Sequence, residues 1–456
     1  MTSVNTDPVD LLMTALRLAI ATGYAGLVST ITLQDILLGT PQIVRSEADL
    51  GIIDPEYVNI VAHGHVPLVG TAVLQASQTA EMQRLARSAG AKGIRVIGSM
   101  CTGQELMQRS SHSAAGFAGQ TGNWINQEFM VATGAIDLVM MDLNCSTPGL
   151  KAMADRFHTR LVCVDRMVRM AGLEDVVDFD PAMIDEQARE LVEMGIEAFQ
   201  RRGARIHIPD GRQDVAAGLS MESIAGALGG SLRPLIKAVA DGLIKGIVAV
   251  VGCTNNHNGH DTAVVPLVKE LIARDILVVN AGCVSSALQI EGMASLSASD
   301  LAGPGLRTIC KALGVPPCLN FGSCVDIGRI GVVVTAIAEE MGVDPSQLPV
   351  AVSAPEYLEQ KAVCDGFFAV ALGLLTHIGP TPPVTGGELV SRILTEDIES
   401  LTGGKVLLEE DPVMAAQLIA EHIDRKRSAL GIDCDGSQIV ELRLALKIES
   451  SVIKHS

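Results

Sequence analysis

The chain has 456 residues and a formal net charge of −18, with 48% hydrophobic and 19% charged residues. This length predicts two or three domains with ample cores, and the composition excludes a disordered chain. The acidic balance disfavours nucleic acid and anionic membrane surfaces as partners. Apolar stretches reach about half of a bilayer span, and Asp7 and Asp10 stand where a signal peptide needs basic residues. We therefore expect a soluble, cytoplasmic protein that does not enter a membrane.

The first predicted element is a helix from Pro8 to about Leu38, with apolar residues at a period of 3.6. Beyond Pro41, short aliphatic runs alternate with longer amphipathic stretches, which is typical of βαβ units. The runs are continuously apolar, as expected for parallel strands covered by helices on both faces. The predicted strands are 58–62, 94–97, 138–141, 161–164, 247–251, 276–279, 317–320 and 348–353.

A polar segment over 201–217 separates two groups of predicted strands. The sequence therefore predicts an α/β protein with two Rossmann-like parallel-sheet domains, preceded by a short helical segment. We predict the helical segment over 1–40, the first domain over 41–210, the second over 211–432 and a tail over 433–456. The last helix is expected from Pro412 to about Ser428, with Asp411 as its N-cap.

Six of the predicted strands end beside a histidine or a cysteine. These residues are His65, Cys101, Cys145, Cys253, Cys283 and Cys324. In open parallel sheets, ligands bind outside the carboxyl ends of the strands, so two facing sheets would bring all six side chains to one cleft. Soft thiolates favour iron–sulfur, nickel, copper or zinc chemistry. Six donors exceed the four of a zinc site or a simple cubane, which predicts a cluster of more than four metals.

Other cofactor motifs are missing from the sequence. It contains no C-x-x-C, no G-x-G-x-x-G and no phosphate-binding loop, so neither NAD nor flavin is expected. A large cytoplasmic chain keeps its thiols reduced, which disfavours disulfides. Cys163 and Cys310 are predicted to be core residues. Cys318 and Cys364 either lie in the core, which is favoured, or line the cleft, and Cys434 is expected to be an exposed thiol of the tail.

Several dispersed motifs occur in a characteristic order. They are His63-Gly64-His65-x-Pro67, Cys101-Thr102-Gly103-x-Glu105, Val250-Val251-Gly252-Cys253, Gly322-Ser323-Cys324-Val325-Asp326 and Ala354-Pro355-Glu356-x(4)-Lys361. Together they resemble the catalytic subunit of nickel-dependent carbon monoxide dehydrogenase, of the hybrid-cluster (prismane-like) superfamily. The resemblance extends over about residues 20–431, nearly the whole chain.

The resemblance implies a nickel–iron–sulfur cluster of the Ni-4Fe-4S type, central to the two sheets. It also implies the reaction CO + H2O ⇌ CO2 + two protons + two electrons. His65 and Cys101 would hold the iron outside the cubane, and Cys324 would ligate nickel. The three cubane irons would be held by Cys145, Cys253 and Cys283. Lys361 would be the cationic partner of bound carbon dioxide, which makes Lys361 and His65 the candidate catalytic residues.

Lys361 also has a prediction of its own from the local sequence. Ser353-x-x-Glu356 predicts a capping box that opens a helix after the strand 348–353. Lys361 would then lie one to two turns into that helix. Asp365, four residues later, stands where an apolar residue is expected near the nickel site. Its carboxylate would change the polarity of the CO pocket or pair with Lys361.

The sequence departs from the family pattern before the first motif. No cysteine precedes Cys101 and no histidine precedes His63, whereas the family carries relay clusters and a histidine ladder on an N-terminal helical domain. We therefore expect an external electron carrier such as a ferredoxin-like protein. A bridging cluster partly holds the family's dimer, so a homodimer stays open for this chain.

Three further histidines have open roles. His112, in a small-residue segment over 110–120, would replace a lost proton relay or be a solvated loop residue. His257 and His260 follow Cys253 and would donate to a ligand or carry protons. Alternatively they belong to a polar loop that leads into a helix capped by Asp261.

Two other functions stay open beside the dehydrogenase. One is a nickel-free, hybrid-cluster-type reductase of hydroxylamine or nitric oxide. The other is a cluster-bearing CO sensor or accessory protein, which the missing relay clusters and Asp365 motivate. The motifs around Cys324 and Lys361 favour the dehydrogenase.

Overall fold

The computed structural model describes residues 4–432 apart from 110–115, 143, 144, 168 and 258, and it leaves the side chains of Gln360 and Lys361 undescribed. His112, Cys434 and the predicted tail therefore lie outside the described residues. The described chain divides into two compact units. The first unit consists of Leu37–Gly218 and Gln289–Gly292. The second unit consists of residues 4–36, 219–288 and 293–432.

The described chain opens with one continuous helical run, as predicted. It comprises α1 (Pro8–Ala21), a π-helical turn (Thr22–Val28) and α2 (Ser29–Leu38). The Asp7 carboxylate caps α1 by accepting the N–H groups of Val9 and Asp10, at 2.8 and 3.0 Å. By length and composition this run of 31 residues is long enough to cross a membrane, which the short apolar stretches of the sequence did not indicate. Its buried Leu16 packs with Val370 and Ile398 in the core of the second unit.

The described part of the first unit is built on a seven-stranded sheet. Its strands are β1 (Val44–Ala48), β2 (Val58–Gly64), β3 (Ile94–Ser99), β4 (Phe117–Gln120), β5 (Leu138–Met141), β6 (Arg160–Cys163) and β7 (Gln213–Ala217). Its helices are α3 (Pro67–Ser77), α4 (Ala80–Ser88), α5 (Met100–Arg109), α6 (Gln127–Ala132), α7 (Gly149–Phe157) and α8 (Ile184–Gln200), with 3-10 turns at Leu50–Ile52 and Pro181–Met183.

The strand order of this sheet is β6-β5-β2-β3-β4-β1-β7. Neighbouring strands run parallel, except that β7 pairs antiparallel with β1 at the edge. The central strand β2 is buried along its whole length, because helices cover both faces of a parallel sheet.

The described part of the second unit contains a six-stranded, fully parallel sheet in the order β10-β9-β8-β11-β12-β13. Its strands are β8 (Gly246–Gly252), β9 (Ile276–Gly282), β10 (Cys318–Gly322), β11 (Val350–Ala354), β12 (Leu375–Ile378) and β13 (Lys405–Leu408). Its α-helices are α9 (Met221–Ala227), α10 (Arg233–Ala240), α11 (Val264–Ala273), α12 (Cys283–Ile290), α13 (Pro304–Leu313), α14 (Ile327–Met341), α15 (Gln360–Ala371), α16 (Glu388–Arg392), α17 (Glu399–Thr402) and α18 (Pro412–Ala429). Short turns lie at Leu296–Leu301, Cys324–Asp326, Pro345–Gln347 and Pro383–Gly386 (3-10) and at Ile393–Asp397 (π).

The α/β class and the two parallel sheets are confirmed, and the eight predicted strands are all present. Sequence reasoning missed β1, β4, β7, β12 and β13, which have four or five residues each and include polar positions. One of them, β7, lies inside the polar segment 201–217 that was expected to be the boundary between the two domains. The four-part domain division stays a prediction, although the N-terminal helices up to residue 36 group with the second unit.

Candidate metal centre

Three of the predicted ligands lie directly beyond neighbouring strands of the first unit. His65 follows β2, and Cys101 is the second residue of α5, which begins where β3 ends. Cys145 lies four residues beyond the end of β5. Because β5, β2 and β3 are adjacent and parallel, the structure brings the three chain segments to one edge of this sheet, as predicted.

The other three predicted ligands lie beyond neighbouring strands of the second unit. Cys253 follows β8, Cys283 opens α12 after β9, and Cys324 opens a 3-10 turn after β10. Gly282 has a φ of +91°, and a Cβ atom there would lie 2.8 Å from the Gly252 carbonyl oxygen and 3.1 Å from the Cys324 Sγ. A glycine therefore permits the Cys324 thiol to approach the backbone next to Cys283.

The thiols of Cys253 and Cys324 lie close enough to influence each other. The pKa of Cys253 is raised to about 11, mainly by burial and also by the neighbouring Cys324. Backbone N–H groups of Leu358 and Glu359 hydrogen-bond the Cys253 sulfur and oppose this shift. A buried thiolate here needs a positive neighbour, and coordination to a metal ion deprotonates a thiol outright.

Two non-glycine residues at the site have left-handed backbone conformations. Met100, which precedes Cys101, has a φ of +60°, and Cys145 itself has a φ of +67°. This region is rare for side-chain-bearing residues and is often retained where a site requires it. The side chain of Gln127 in α6 supports the Cys145 loop by donating to the Cys145 carbonyl oxygen (2.9 Å) and accepting from the Thr147 N–H (3.3 Å).

His63 and His65 have different surroundings although they are two residues apart. His63 is fully buried, its Nδ1 lies 2.9 Å from the Ser99 Oγ, and burial lowers its pKa to about 4 despite the nearby Asp142. His65 is half-buried, and its Nδ1 lies 3.7 Å from the Asp142 carboxylate. His63 therefore packs as a neutral residue between strands, whereas the imidazole of His65 lies beyond the strand.

A network of charged side chains holds the turn that contains Cys324. The Asp326 carboxylate accepts the backbone N–H (2.7 Å) and the hydroxyl (3.0 Å) of Ser323. Arg329, buried at 4% exposure, donates to Asp326 (2.6 Å) and to both oxygens of Asp35 in α2 (2.8 and 2.6 Å). The N-terminal helical run is thus tied to the turn of a predicted ligand through a bidentate ion pair.

The predicted capping box at Ser353-x-x-Glu356 is wrong. The helix α15 begins at Gln360 with Glu359 as its N-cap, so Lys361 is its second residue, while the Lys361 side chain lies outside the described part of the chain. Asp365 is half-buried in α15. Its effect on the CO pocket stays a prediction.

Glu356 instead caps a different helix. It is 3% exposed, and its Oε1 accepts the N–H groups of Ala263 and Val264 (3.0 and 3.2 Å) at the start of α11. Its Oε2 accepts those of Asn255 and Asp261 (3.4 and 3.3 Å). The carboxylate therefore holds the loop that follows Cys253.

The same loop carries the two histidines whose roles were open. The N-cap position of α11 is Ala263, so the prediction of Asp261 as the cap is wrong. Within the loop, His257 is exposed, and the His260 Nε2 lies 3.3 Å from the Asp261 Oδ1. Proton transfer by either histidine stays a prediction.

The cysteines outside the predicted ligand set include three core residues, as expected. Cys163, Cys310 and Cys318 are each at most 2% exposed. Burial raises the pKa of Cys310 to about 12 and raises that of Cys318 above its usual range. Such thiols stay protonated and unreactive.

Each unit presents three soft donors beyond the ends of adjacent strands. They are His65, Cys101 and Cys145 in the first unit and Cys253, Cys283 and Cys324 in the second. Among the described residues, no group of three or more His, Cys, Asp or Glu side chains is placed to hold a metal ion. Within the described residues, the Nδ1 of His65 makes no hydrogen bond, and the Asp142 carboxylate lies 3.7 Å from it. Thiolates and imidazole suit iron, nickel and zinc.

Comparison with known proteins gives consistent matches. Residues 1–413 match the profile described as Prismane/CO dehydrogenase family. A protein of Archaeoglobus fulgidus named carbon monoxide dehydrogenase is 47% identical over 434 residues, which are 95% of this chain and 69% of that protein. A Ni-free carbon monoxide dehydrogenase from Thermococcus sp. AM4 superposes with a TM-score of 0.91 at 44% identity, covering 94% of this chain and 67% of that chain.

A further solved structure extends this comparison. It is described as NiZn[Fe4S4] and NiNi[Fe4S4] clusters in alpha subunits of acetyl-CoA synthase/carbon monoxide dehydrogenase. Its TM-score is 0.90 at 34% identity, with 98% of this chain and 67% of that chain covered. The chain thus spans about two thirds of the length of each of these relatives.

Proposed function

Because the chain belongs to the Prismane/CO dehydrogenase family, as its motifs predicted, we propose that it oxidises carbon monoxide reversibly. Water is the second substrate, and carbon dioxide, two protons and two electrons are the products. The observation that carries the proposal is the position of one imidazole and five thiols beyond the ends of parallel strands. Such an arrangement suits a metal cluster rather than NAD or flavin.

The ligand assignment belongs to the same proposal. His65 and Cys101 hold the outer iron, and Cys324 holds nickel. The cubane irons are held by Cys145, Cys253 and Cys283. When bound, this Ni-4Fe-4S-type cluster supplies redox chemistry and Lewis acidity toward water and carbon dioxide.

Lys361 is the proposed cationic partner of carbon dioxide. Its backbone lies two residues after Glu359, whose N–H hydrogen-bonds the Cys253 sulfur. The start of α15 is therefore held against a proposed cluster ligand. A lysine ammonium at this place stabilises negative charge that develops on the substrate oxygens.

An external electron carrier is proposed as the acceptor of the two electrons that the reaction releases. Of the described cysteines outside the proposed set, Cys163 lies in the sheet of the first unit, and Cys310 and Cys318 lie in the core of the second. Only Cys364 and the tail residue Cys434 remain, which is fewer than the four thiolates of a cubane. A small cytoplasmic protein of the ferredoxin type would fulfil this role.

A homodimer is proposed through exposed apolar residues of the N-terminal helices. Leu18, Leu33 and Ile36 are 58%, 59% and 74% exposed. Packing against a second copy would remove such side chains from water.

The nickel-free reductase of hydroxylamine or nitric oxide is the second candidate, since the matching profile joins prismane proteins with CO dehydrogenases. The relatives above, at 34–47% identity, carry the dehydrogenase name, which favours the first function. A CO sensor would hold the same cluster as the dehydrogenase. It would differ from the dehydrogenase only in showing no turnover in an activity assay.

The test is CO-dependent reduction of a low-potential dye by protein purified without oxygen and loaded with nickel. We expect steady turnover in the wild type, loss of turnover in Cys324→Ser, and retention in Cys310→Ala, which alters a core thiol of α13. Absence of turnover at full cluster occupancy would contradict the dehydrogenase and favour the sensor. Turnover of hydroxylamine without nickel would favour the reductase.

A further inference from the structure

Asp142 is a buried carboxylate at the carboxyl end of β5, with 2% exposure. Its two oxygens accept neighbouring backbone N–H groups, from His65 at 2.5 Å and from Val66 at 2.7 Å. One oxygen also lies 3.7 Å from the His65 Nδ1. The carboxylate therefore contacts both the backbone and the ring of a proposed ligand.

The close approach of Asp142 depends on the residue before His65. Gly64 has a φ of +118°, and a Cβ atom there would lie only 2.1 Å from the Asp142 Oδ1. In the β2–β5 pairing, His63 lies opposite Met141, which places Gly64 beside Asp142. Glycine thus leaves the space into which the carboxylate folds.

The same carboxylate lies near the other two ligand segments of the first unit. The Thr102 hydroxyl is 3.5 Å from the Asp142 Oδ2, and Thr102 follows Cys101 in α5. Cys145 lies three residues further along the chain from Asp142. One side chain therefore contacts the segments of His65 and Cys101.

The charge of Asp142 is not balanced by a basic side chain. Within the part of the chain that the structure describes, its ion-pair partner is His65, and no lysine or arginine pairs with it. Burying a carboxylate without a cation is unfavourable. A metal ion on the far side of the His65 ring would supply the positive charge.

We infer that Asp142 is a positioning residue for His65, an inference that rests on the proposed function. Asp142 fixes the backbone of His65 and Val66 by hydrogen bonds, and its carboxylate, 3.7 Å from the His65 Nδ1, favours the tautomer that carries the proton on Nδ1. Nε2 then presents its lone pair to the outer iron. Carboxylates that orient metal-binding histidines in this way also increase the basicity of the ring, and their loss typically weakens metal affinity about 10–100-fold.

The test compares Asp142→Asn with a matched variant on the same strand. Asp137, 1% exposed at the opposite end of β5, accepts from the Asn59 N–H (2.7 Å) and pairs with Arg202. We expect Asp142→Asn to fold and keep its sulfide, but to release iron to a chelator at about 10–100-fold lower chelator concentration. Its Mössbauer spectrum would lack or shift the component of the histidine-bound iron. Asp137→Asn would lower thermal stability and leave that spectrum unchanged.

A second pair of variants separates a role through His65 from a general role in folding. If Asp142 acts through His65, Asp142→Asn adds no further iron loss in a His65→Ala background. A Mössbauer spectrum of Asp142→Asn identical to wild type, or additive iron loss in the double variant, would overturn the inference. Iron binding does not depend on turnover, so failure of the wild type to oxidise CO would contradict the proposed function and not this inference.

Discussion

At the scale of single residues, Glu356 shows how a local sequence pattern can point to the wrong partner. Its spacing from Ser353 predicts a capping box, yet the carboxylate accepts N–H groups at the start of α11, which lie 92 and 93 positions away in sequence. Chain proximity carries no information on such a contact. The positions of the proposed ligands just beyond aliphatic runs were predictable because strand ends are a local property.

Replacing this carboxylate tests its role directly. In Glu356→Gln, an amide replaces an acceptor of four backbone N–H groups, and at least one N–H loses a charged partner. We expect the free energy of unfolding to fall by about 1–3 kcal/mol, measured by chemical denaturation without oxygen. Glu339→Gln, on an exposed part of α14, should change it by less than about 0.5 kcal/mol. Equal denaturation midpoints for Glu356→Gln and Glu339→Gln would contradict the capping role of Glu356.

His422 gives a prediction for acid sensitivity. Its pKa is lowered to about 4, mainly by burial and also by Lys426, Arg425 and Lys405, while Glu399 opposes the shift. Between about pH 4 and pH 6.5 the unfolded chain therefore binds more protons than the folded one, so stability falls as pH falls through this window. Through this window, His422 changes the free energy of unfolding by up to about 1.4 kcal/mol per pH unit.

The measurement is the difference in melting temperature between about pH 7 and about pH 5. His422→Gln should lose less stability over this interval than the wild type does. His207→Gln, at an exposed position, should behave like the wild type. An unchanged acid response in His422→Gln would show that this histidine does not contribute.

At the scale of elements, the glycines before the ligands determine how closely the strand ends approach. Gly282 and Gly342 both have positive φ, +91° and +67°, but a Cβ at Gly342 meets nothing within 4 Å. Gly342→Ala should lower the free energy of unfolding by about 1 kcal/mol through backbone conformation alone. Gly282→Ala should lower it by more. That variant should also bind less nickel, because the Cys324 sulfur must move. Equal nickel content in the two variants would contradict this account.

The packing of the N-terminal run on α15 can be tested with two glycines three residues apart. A Cβ at Gly23 would lie 2.4 Å from the Phe368 ring, whereas one at Gly26 would have only an ordinary contact at 3.5 Å. Tyr24 also meets Phe368 edge-on, with ring centroids 5.6 Å apart. Gly23→Ala should therefore destabilise by about 1–3 kcal/mol through overpacking.

Gly26→Ala should instead increase the free energy of unfolding, since alanine is favoured over glycine in a helix by up to about 1 kcal/mol. Thermal and chemical denaturation measure both variants. If both substitutions change the free energy of unfolding in the same direction, the N-terminal run does not pack on Phe368 as described.

At the scale of the whole molecule, the α/β class and the family were predictable because aliphatic runs and dispersed motifs extend along the entire chain. The strands β12 and β13 were not predictable, since segments such as Leu375–Ile378 are short and contain polar residues. The contacts that support the proposed ligands were not predictable either. Gln127 and Asp142 lie in different elements from the backbone groups they bind, and only the folded chain brings them together.

The measurement that tests the central proposal most directly is metal and sulfide analysis of protein purified without oxygen from nickel-replete cells. The proposed ligand set predicts nickel stoichiometric with the chain, together with several iron and sulfide, and loss of nickel in Cys324→Ser. Iron and sulfide without nickel in the wild type would contradict the dehydrogenase and support a nickel-free member of the family.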